Sequence, residues 1–349
     1  MFKDPVCQMK LLATEFALVY RGRRFYFCSL GCLEKFKRNP RAYSTKQKYD
    51  LIIVGGGPAG LTAGVYASIL KMDTLLISKD IGGQAVDSTK IKNYMGFDFV
   101  TGPELLSKFK NQLIHHHYID HKIETVTSIQ KVKKNFSVKT LSGSLYKSRA
   151  LILATGMVRN KLGIPGEKKF SRKGIGYAAG LDIPLLAGKR VAVIGGGNSA
   201  LQIVMELHKH KCKVIVISIG PLTADPVLCE AVRSIKGLKI FNYHAVVKIE
   251  GREKVESILI KDLANQQNLK LDVEAIFVAI GFSPNSSLVG DLVDLNEKGE
   301  IEINADCSTR TPGLFAAGDV TDVFAKRIII ASGEGAKAAL AAKQYLMRK

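Results

Sequence analysis

From residue 49 the chain reads Tyr49-Asp50-Leu51-Ile52-Ile53-Val54, almost unbroken in apolar side chains, and then breaks into Gly55-Gly56-Gly57-Pro58-Ala59-Gly60. Such a run, with no alternation between faces, predicts a strand buried on both sides in a parallel sheet. An apolar helix to about Leu70 and a strand at Thr74-Leu75-Leu76-Ile77-Ser78 complete a βαβ unit. Thr101-Gly102-Pro103-Glu104 reads as a capping box opening a helix through Leu113. The apolar-then-glycine pattern returns at Lys189-Arg190-Val191-Ala192-Val193-Ile194 and Gly195-Gly196-Gly197-Asn198-Ser199-Ala200. A helix to about His210 and the strand Val214-Ile215-Val216-Ile217 follow. Near the C-terminus, Gly313-Leu314-Phe315-Ala316-Ala317-Gly318-Asp319 supplies the piece that completes the first unit. The chain therefore reads as α/β, with two Rossmann-like dinucleotide-binding domains, one inserted in the other. The expected limits are 1–44 for a small cysteine-bearing module, 48–160 and 280–349 for the outer domain, and 161–279 for the inserted one.

The glycine turns carry a chemical expectation. Gly55 permits the tight turn, Gly57 lets the backbone approach a pyrophosphate, and Gly60 lets helix and strand pack closely. The helix start at Pro58 and Ala59 offers N–H donors and a positive dipole end. Gly195, Gly197 and Ala200, with Asn198 and Ser199 opening the helix, repeat the arrangement. There the same glycines would also serve helix–strand packing alone.

Charge and cysteine usage narrow the class. The 349 residues carry a net charge of +20, and residues 1–48 hold 11 Lys and Arg against Asp4, Glu15 and Glu34. That balance favours an acidic partner, or it describes a lysine-rich surface with none. No nucleic-acid motif accompanies it. No apolar run approaches membrane-spanning length and the N-terminus shows no apolar targeting segment, so the expected location is cytoplasmic, off the membrane. Three of the six cysteines, Cys7, Cys28 and Cys32, crowd into the N-terminal segment. They form a local thiolate site in this reading, while Cys212, Cys229 and Cys307 are expected as small buried hydrophobes. His115-His116-His117 with His121 is expected in a solvated turn.

Residues 48–349 resemble the low-molecular-weight thioredoxin reductases and similar flavoproteins. The resemblance rests on the first glycine turn, Gly82-Gly83-Gln84, Asn93-Tyr94-Met95-Gly96, Thr101-Gly102-Pro103-Glu104-Leu105, and Ala154-Thr155-Gly156. The second glycine turn, Ala279-Ile280-Gly281-Phe282-Ser283-Pro284-Asn285 and Gly318-Asp319 complete it. It implies FAD in the outer domain, with Gln84 and Asn93 near the flavin, Asp319 on the ribityl–phosphate part, and a homodimer. Lys326-Arg327-Ile328 stands where such proteins have Arg-Gln-Ala. That would put Arg327 beside the flavin ring, or leave it a surface arginine.

Two departures alter what the resemblance implies. Relatives that reduce thioredoxin carry Cys-x-x-Cys between a Tyr and an Asp, whereas this chain reads Tyr177-Ala178-Ala179-Gly180-Leu181-Asp182. Ala178 and Leu181 form neither thiolate nor disulfide, so thioredoxin reduction at this site is excluded. Ser218-Ile219-Gly220-Pro221 replaces the arginine cluster that grips the 2′-phosphate of NADPH, and the strand end has no acid for the ribose of NAD. NAD(P)H binding is thus open, with NADH the better fit.

The N-terminal segment resembles a YHS domain, a module found beside metal-handling proteins. The resemblance rests on Asp4-Pro5-Val6-Cys7-Gln8-Met9, Tyr26-Phe27-Cys28-Ser29, Cys32 and Asn39-Pro40-Arg41-Ala42-Tyr43. Cys28 and Cys32 are expected on one face of a helical turn, with Cys7 opposite. Three thiolates suit a soft ion such as copper, zinc or iron. A redox-active thiol pair and a docking module are the alternatives, and Met9 is either a further soft ligand or a core residue. Most relatives have Gly where Gln8 stands, which bears on the loop shape. The leading functional expectation is an FAD-dependent oxidoreductase exchanging electrons with a partner, such as an acidic ferredoxin, or with a metal on the module. The others are an NAD(P)H-dependent reductase of a thiol or metal, and a metal chaperone or sensor with structural FAD.

Overall fold

A computed structural model describes the chain except residues 1, 21–22, 44–46, 89, 115–117, 178–181 and 349. The triple histidine and the Ala178 and Leu181 positions therefore lie outside the described residues.

The N-terminal module begins with the short pair β1 (Phe2–Lys3) and β2 (Lys10–Leu11). The hairpin β3 (Ala17–Tyr20) and β4 (Arg23–Tyr26) follows, then α1 (Leu30–Arg38) and α2 (Pro40–Tyr43). So small a module has little apolar surface to bury, and it concentrates that surface in aromatics. Phe25, Phe27, Leu33 and Phe36 are buried together. The Phe36 ring lies 4.8 Å from Phe25 and 5.0 Å from Phe27.

The outer domain starts with β5 (Lys48–Val54), α3 (Pro58–Ile69) and β6 (Thr74–Ser78). It continues through α4 (Gly102–Ile114), β7 (Ile119–Ile123), β8 (Val126–Val132), β9 (Asn135–Thr140) and β10 (Leu145–Leu153). The capping box forms as expected: Thr101 N donates to Glu104 Oε2 at 2.9 Å, and Glu104 N donates back to Thr101 Oγ1 at 3.4 Å. After β11 (Met157–Arg159) come α5 (Glu167–Phe170), β12 (Ile175–Tyr177), β13 (Arg190–Ile194), α6 (Asn198–Lys209), β14 (Lys213–Ser218) and α7 (Pro226–Arg233). Then β15 (Lys239–Asn242), β16 (His244–Glu250), β17 (Ser257–Asp262), β18 (Asn268–Asp272), β19 (Ala275–Val278) and β20 (Phe282–Pro284) lead back to β21 (Leu314–Ala316) and α8 (Ile328–Met347).

Two compact units result. One comprises residues 1–157 and 284–349, the other Val158–Ser283. The chain changes unit at 157/158 and 283/284, where the sequence placed the limits at 160/161 and 279/280; both crossings fall within the paired strands β11 and β20. In the first unit the sheet order is β7-β6-β5-β10-β9-β8, with β21 parallel to the end of β10. β21 is the late segment that completes the first fold. In the second unit β12-β19-β13-β14-β15 form a parallel sheet, and β16-β17-β18 an antiparallel one.

Apart from Glu334, the buried face of α8 is made of small residues, including Ala331, Gly335, Ala338, Ala339 and Ala342. That lets α3 approach closely, and a methyl group on Gly335 would stand 2.1 Å from Ala59 O. Among the described residues no helix is long and apolar enough to cross a membrane.

Candidate cofactor cradles and thiol cluster

The first cradle is built where β5 ends. Gly55 has φ +116° and its Cα faces the Ala154 carbonyl, so any side chain would clash at 2.1 Å. Gly60 packs on Gly55 O in the same way. These two glycines serve the fold. Gly57 differs, because a methyl group there would meet nothing within 4 Å, and it caps α3, whose first residue Pro58 has no N–H. The space beside Gly57 is free for a group that accepts from the helix start. A methyl group on Gly83, which has φ +55°, would stand 3.3 Å from Gly57 Cα, and Gly156, with φ +62°, faces open space. Thr155 Oγ1 donates to Asn285 O at 2.7 Å and fixes the turn that carries Gly156.

Asp319 follows Gly318 at the end of β21. Burial pushes its carboxyl pKa up, and the nearby Lys326 and Arg327 cations pull it down. Its carboxylate has no hydrogen-bond partner among the described residues, so it stands ready to accept from hydroxyl groups of a ligand. These features fit FAD: an open pyrophosphate turn, open space beside Gly57 and Gly156, and a half-buried acceptor for a sugar chain. Arg327 is exposed, donates to Lys326 O at 3.0 Å and precedes α8. Lys326 is held by Glu300 Oε1 at 2.9 Å. Ile328 packs against the Ile91, Val100 and Leu105 cluster together with Tyr94 and Phe97, which brings the 91–100 loop to the start of α8. Gln84 donates its amide to Met157 O, and Asn93 is exposed with no side-chain hydrogen bond among the described residues.

The second cradle, in the inserted unit, repeats the geometry. Gly195 has φ +131° against Ala279 O, Ala200 is buried, and the only atom a methyl on Gly197 would meet is Thr223 Oγ1 at 3.9 Å. Ser199 is exposed on the first turn of α6. Asn198 and Asp225 pair reciprocally, Nδ2 to Oδ2 at 3.1 Å and the Asp225 N–H to Oδ1 at 2.8 Å. This pair joins the start of α6 to that of α7 and was not foreseen. Tyr177, just before the missing cysteine motif, gives its hydroxyl to Glu167 Oε1 at 2.6 Å, and burial with Glu167 beside it raises its pKa.

The third site is the N-terminal module. Cys7 Sγ lies 3.5 Å from Cys28 Sγ, which lies 3.6 Å from Cys32 Sγ. With an Asp4 oxygen these sulfurs all fall within 4.8 Å of one another. Metal–sulfur bonds of about 2.3 Å place tetrahedral sulfurs roughly 3.8 Å apart, close to the spacing here. The donor set therefore fits a soft ion.

Cys32 is on α1, but Cys28 precedes its N-cap, so the expected shared helical face is corrected: Ser29 ends the extended chain and accepts from Cys32 N. Asp4 is what sequence reading missed. Fully buried, it accepts from Val6 N at 2.7 Å, Cys7 N at 3.2 Å and Cys28 N at 2.6 Å, tying together loops 24 residues apart. Burial would raise its pKa, yet the amide of Cys28 and its other donors hold it at about 2. A hydrogen bond from the Cys28 thiol to the Asp4 carboxylate pushes that thiol up to about 12, so an incoming metal must displace protons. The Asp-Pro-Val-Cys turn was the available signal, since Asp accepts from amides two residues on. Gln8 adopts φ +67°, a left-handed turn conformation that favours Gly, and its side chain donates to Pro5 O at 3.0 Å. Met9 is 56% exposed and so is not a core residue. His121 sits within β7 rather than in a turn, and Cys212, Cys229 and Cys307 are buried.

Comparison with known proteins follows the same division. The profile of the family described as pyridine nucleotide-disulphide oxidoreductase matches residues 49–343, and that of the YHS domain matches residues 2–47. One component of the alkyl hydroperoxide reductase of Staphylococcus aureus (strain MSSA476) is 37% identical over 310 residues, 88% of this chain and 61% of that protein. The chain thus spans about three fifths of the length of the curated relatives it matches. Among solved structures, thioredoxin reductases of Lactococcus lactis and T. acidophilum are each 29% identical. Their TM-scores are 0.72 and 0.69, over 86% of this chain and 100% and 99% of theirs.

Proposed function

The chain belongs to the pyridine nucleotide-disulphide oxidoreductase family as an FAD-dependent oxidoreductase of thioredoxin-reductase-like fold, and we propose that its electrons pass between flavin and an external redox partner or a soft metal on the N-terminal module. The observation that carries this reading is the placement of thiols. Ala178 and Leu181 stand at the positions of the family's cysteines, while Cys7, Cys28 and Cys32 converge in the YHS module.

When bound, FAD supplies two-electron exchange with a nicotinamide and one-electron exchange with a metal or iron–sulphur partner. The chain's own residues bind and orient. The α3 start, open at Gly57, offers amides to the pyrophosphate, and Asp319 accepts from the sugar chain. Arg327, exposed beside them, adds positive charge near the ring. Asp4 holds Cys7 and Cys28 in register, so a metal meets three sulfurs already gathered.

NADH is the proposed nicotinamide donor. The second turn is open at Gly197, and no arginine follows β14 to bind a 2′-phosphate. The test is anaerobic flavin bleaching by NADH, NADPH and reduced ferredoxin, on metal-free and metal-loaded protein. Bleaching by NADH or ferredoxin, followed by reoxidation with the metal-loaded module or an oxidised partner, is the expected result. A flavin that none of the donors reduces would leave FAD structural and overturn the proposal.

A further inference from the structure

The outer domain is interrupted by the inserted unit, so its two cofactor-facing turns come from distant parts of the chain. One is the α3 start at Gly57, Pro58 and Ala59, and the other is Gly318-Asp319. A single dipeptide of α8 touches both. Glu334 is 5% exposed, and its Oε2 accepts from the Gly318 amide at 2.8 Å. The same oxygen lies 3.3 Å from Thr321 Oγ1, a fully buried hydroxyl that also reaches Gly318 O at 2.8 Å. The next residue, Gly335, packs against the backbone of Ala59, with no room for a methyl group. Gly318, at φ +80°, in turn lies against the Ala59 side chain.

A buried carboxylate costs free energy unless donors satisfy it, and the amide that donates here, Gly318 N–H, belongs to the turn that carries Asp319, with the Thr321 hydroxyl close beside it. Core packing alone would be met by an apolar residue at this place in an alanine-rich helix.

We infer that Glu334 is a positioning residue for FAD: with Gly335 it sets the distance and orientation between the pyrophosphate turn and the Asp319 carboxylate. Glu334 touches no ligand itself and acts through Gly318 and Asp319. The inference rests on the reading of Asp319 as an FAD contact.

The test is a double-mutant cycle on FAD affinity, read by quenching of flavin fluorescence when FAD is added to apoprotein. The variants are E334A, E334Q, D319N and E334A/D319N, with thermal unfolding of each apoprotein alongside. Glutamine can still accept from Gly318 N through an oxygen at the same place, so E334Q keeps the fold should E334A fail; the E334Q/D319N pair then closes the cycle. The expected result is a loss of roughly tenfold or more for E334A, a smaller loss for E334Q, and little further loss on adding either to D319N. Losses that multiply in the double variant would make Glu334 a structural residue only and overturn the inference. FAD affinity unchanged in D319N would instead overturn the reading of Asp319 beneath it.

Discussion

Gly57 and Gly55 belong to one turn, yet a methyl group would act differently on each. At Gly57 it enters open space at an ordinary backbone angle, so G57A should leave apoprotein unfolding unchanged while blocking the pyrophosphate. The expected outcome is a loss of about tenfold or more in FAD affinity without a shift in apoprotein Tm. G55A meets the Ala154 carbonyl at φ +116°, and it should destabilise the apoprotein itself, by roughly 3 kcal/mol. Urea unfolding of the two apoproteins separates these outcomes. In the thiol cluster, serine is a poor donor for a soft ion. C32S should therefore abolish the thiolate-to-metal absorption of a chain loaded anaerobically with one equivalent of Cu(I), with FAD binding unchanged. Retained absorption would remove Cys32 from the ligand set.

At the scale of elements, most of the frame was legible because it rests on local rules. The buried strands, both glycine turns and the capping box at Thr101 follow from apolar runs, backbone freedom and side-chain capping. What stayed hidden was tertiary. Asp4 draws in an amide from Cys28, Asn198 finds Asp225, and Glu334 reaches back to Gly318; no local pattern gives a partner so far along the chain. Four-residue spacing suits one face of a helix or helical turn for Cys28 and Cys32, but Ser29 is a strong N-cap and the helix starts after it.

The Lys326–Glu300 pair steadies the segment before α8, and it makes an acid prediction. Burial opposes ionisation of Glu300, but Asn296 and Lys326 hold its pKa below the ordinary value. A carboxylate lowered in the folded state contributes stability above its ordinary pKa and loses it as pH falls through the folded value. The Tm difference between the native chain and E300Q should be full at neutral pH and should close as pH falls below about 4. A difference independent of pH would assign Glu300 a packing role only.

For the whole molecule the long-range quantity is charge, +20 over 349 residues. A basic protein attracts an acidic electron carrier before contact, and that attraction is screened over about 8 Å at physiological ionic strength. NADH is small and, on the proposed reading, meets one glycine turn, so its encounter depends far less on the field of the whole surface. Stopped-flow flavin reduction by an acidic ferredoxin should slow by roughly tenfold or more between low salt and about 0.5 M salt, while reduction by NADH changes little. If both rates respond alike, the charge belongs to a generally basic surface. If only the ferredoxin rate falls, the charge serves partner encounter, and lysine-to-glutamate substitutions in the N-terminal module then locate the docking face. A rate lowered by substituting the α1 cations Lys35 and Lys37 would place that encounter on the element that carries Cys32.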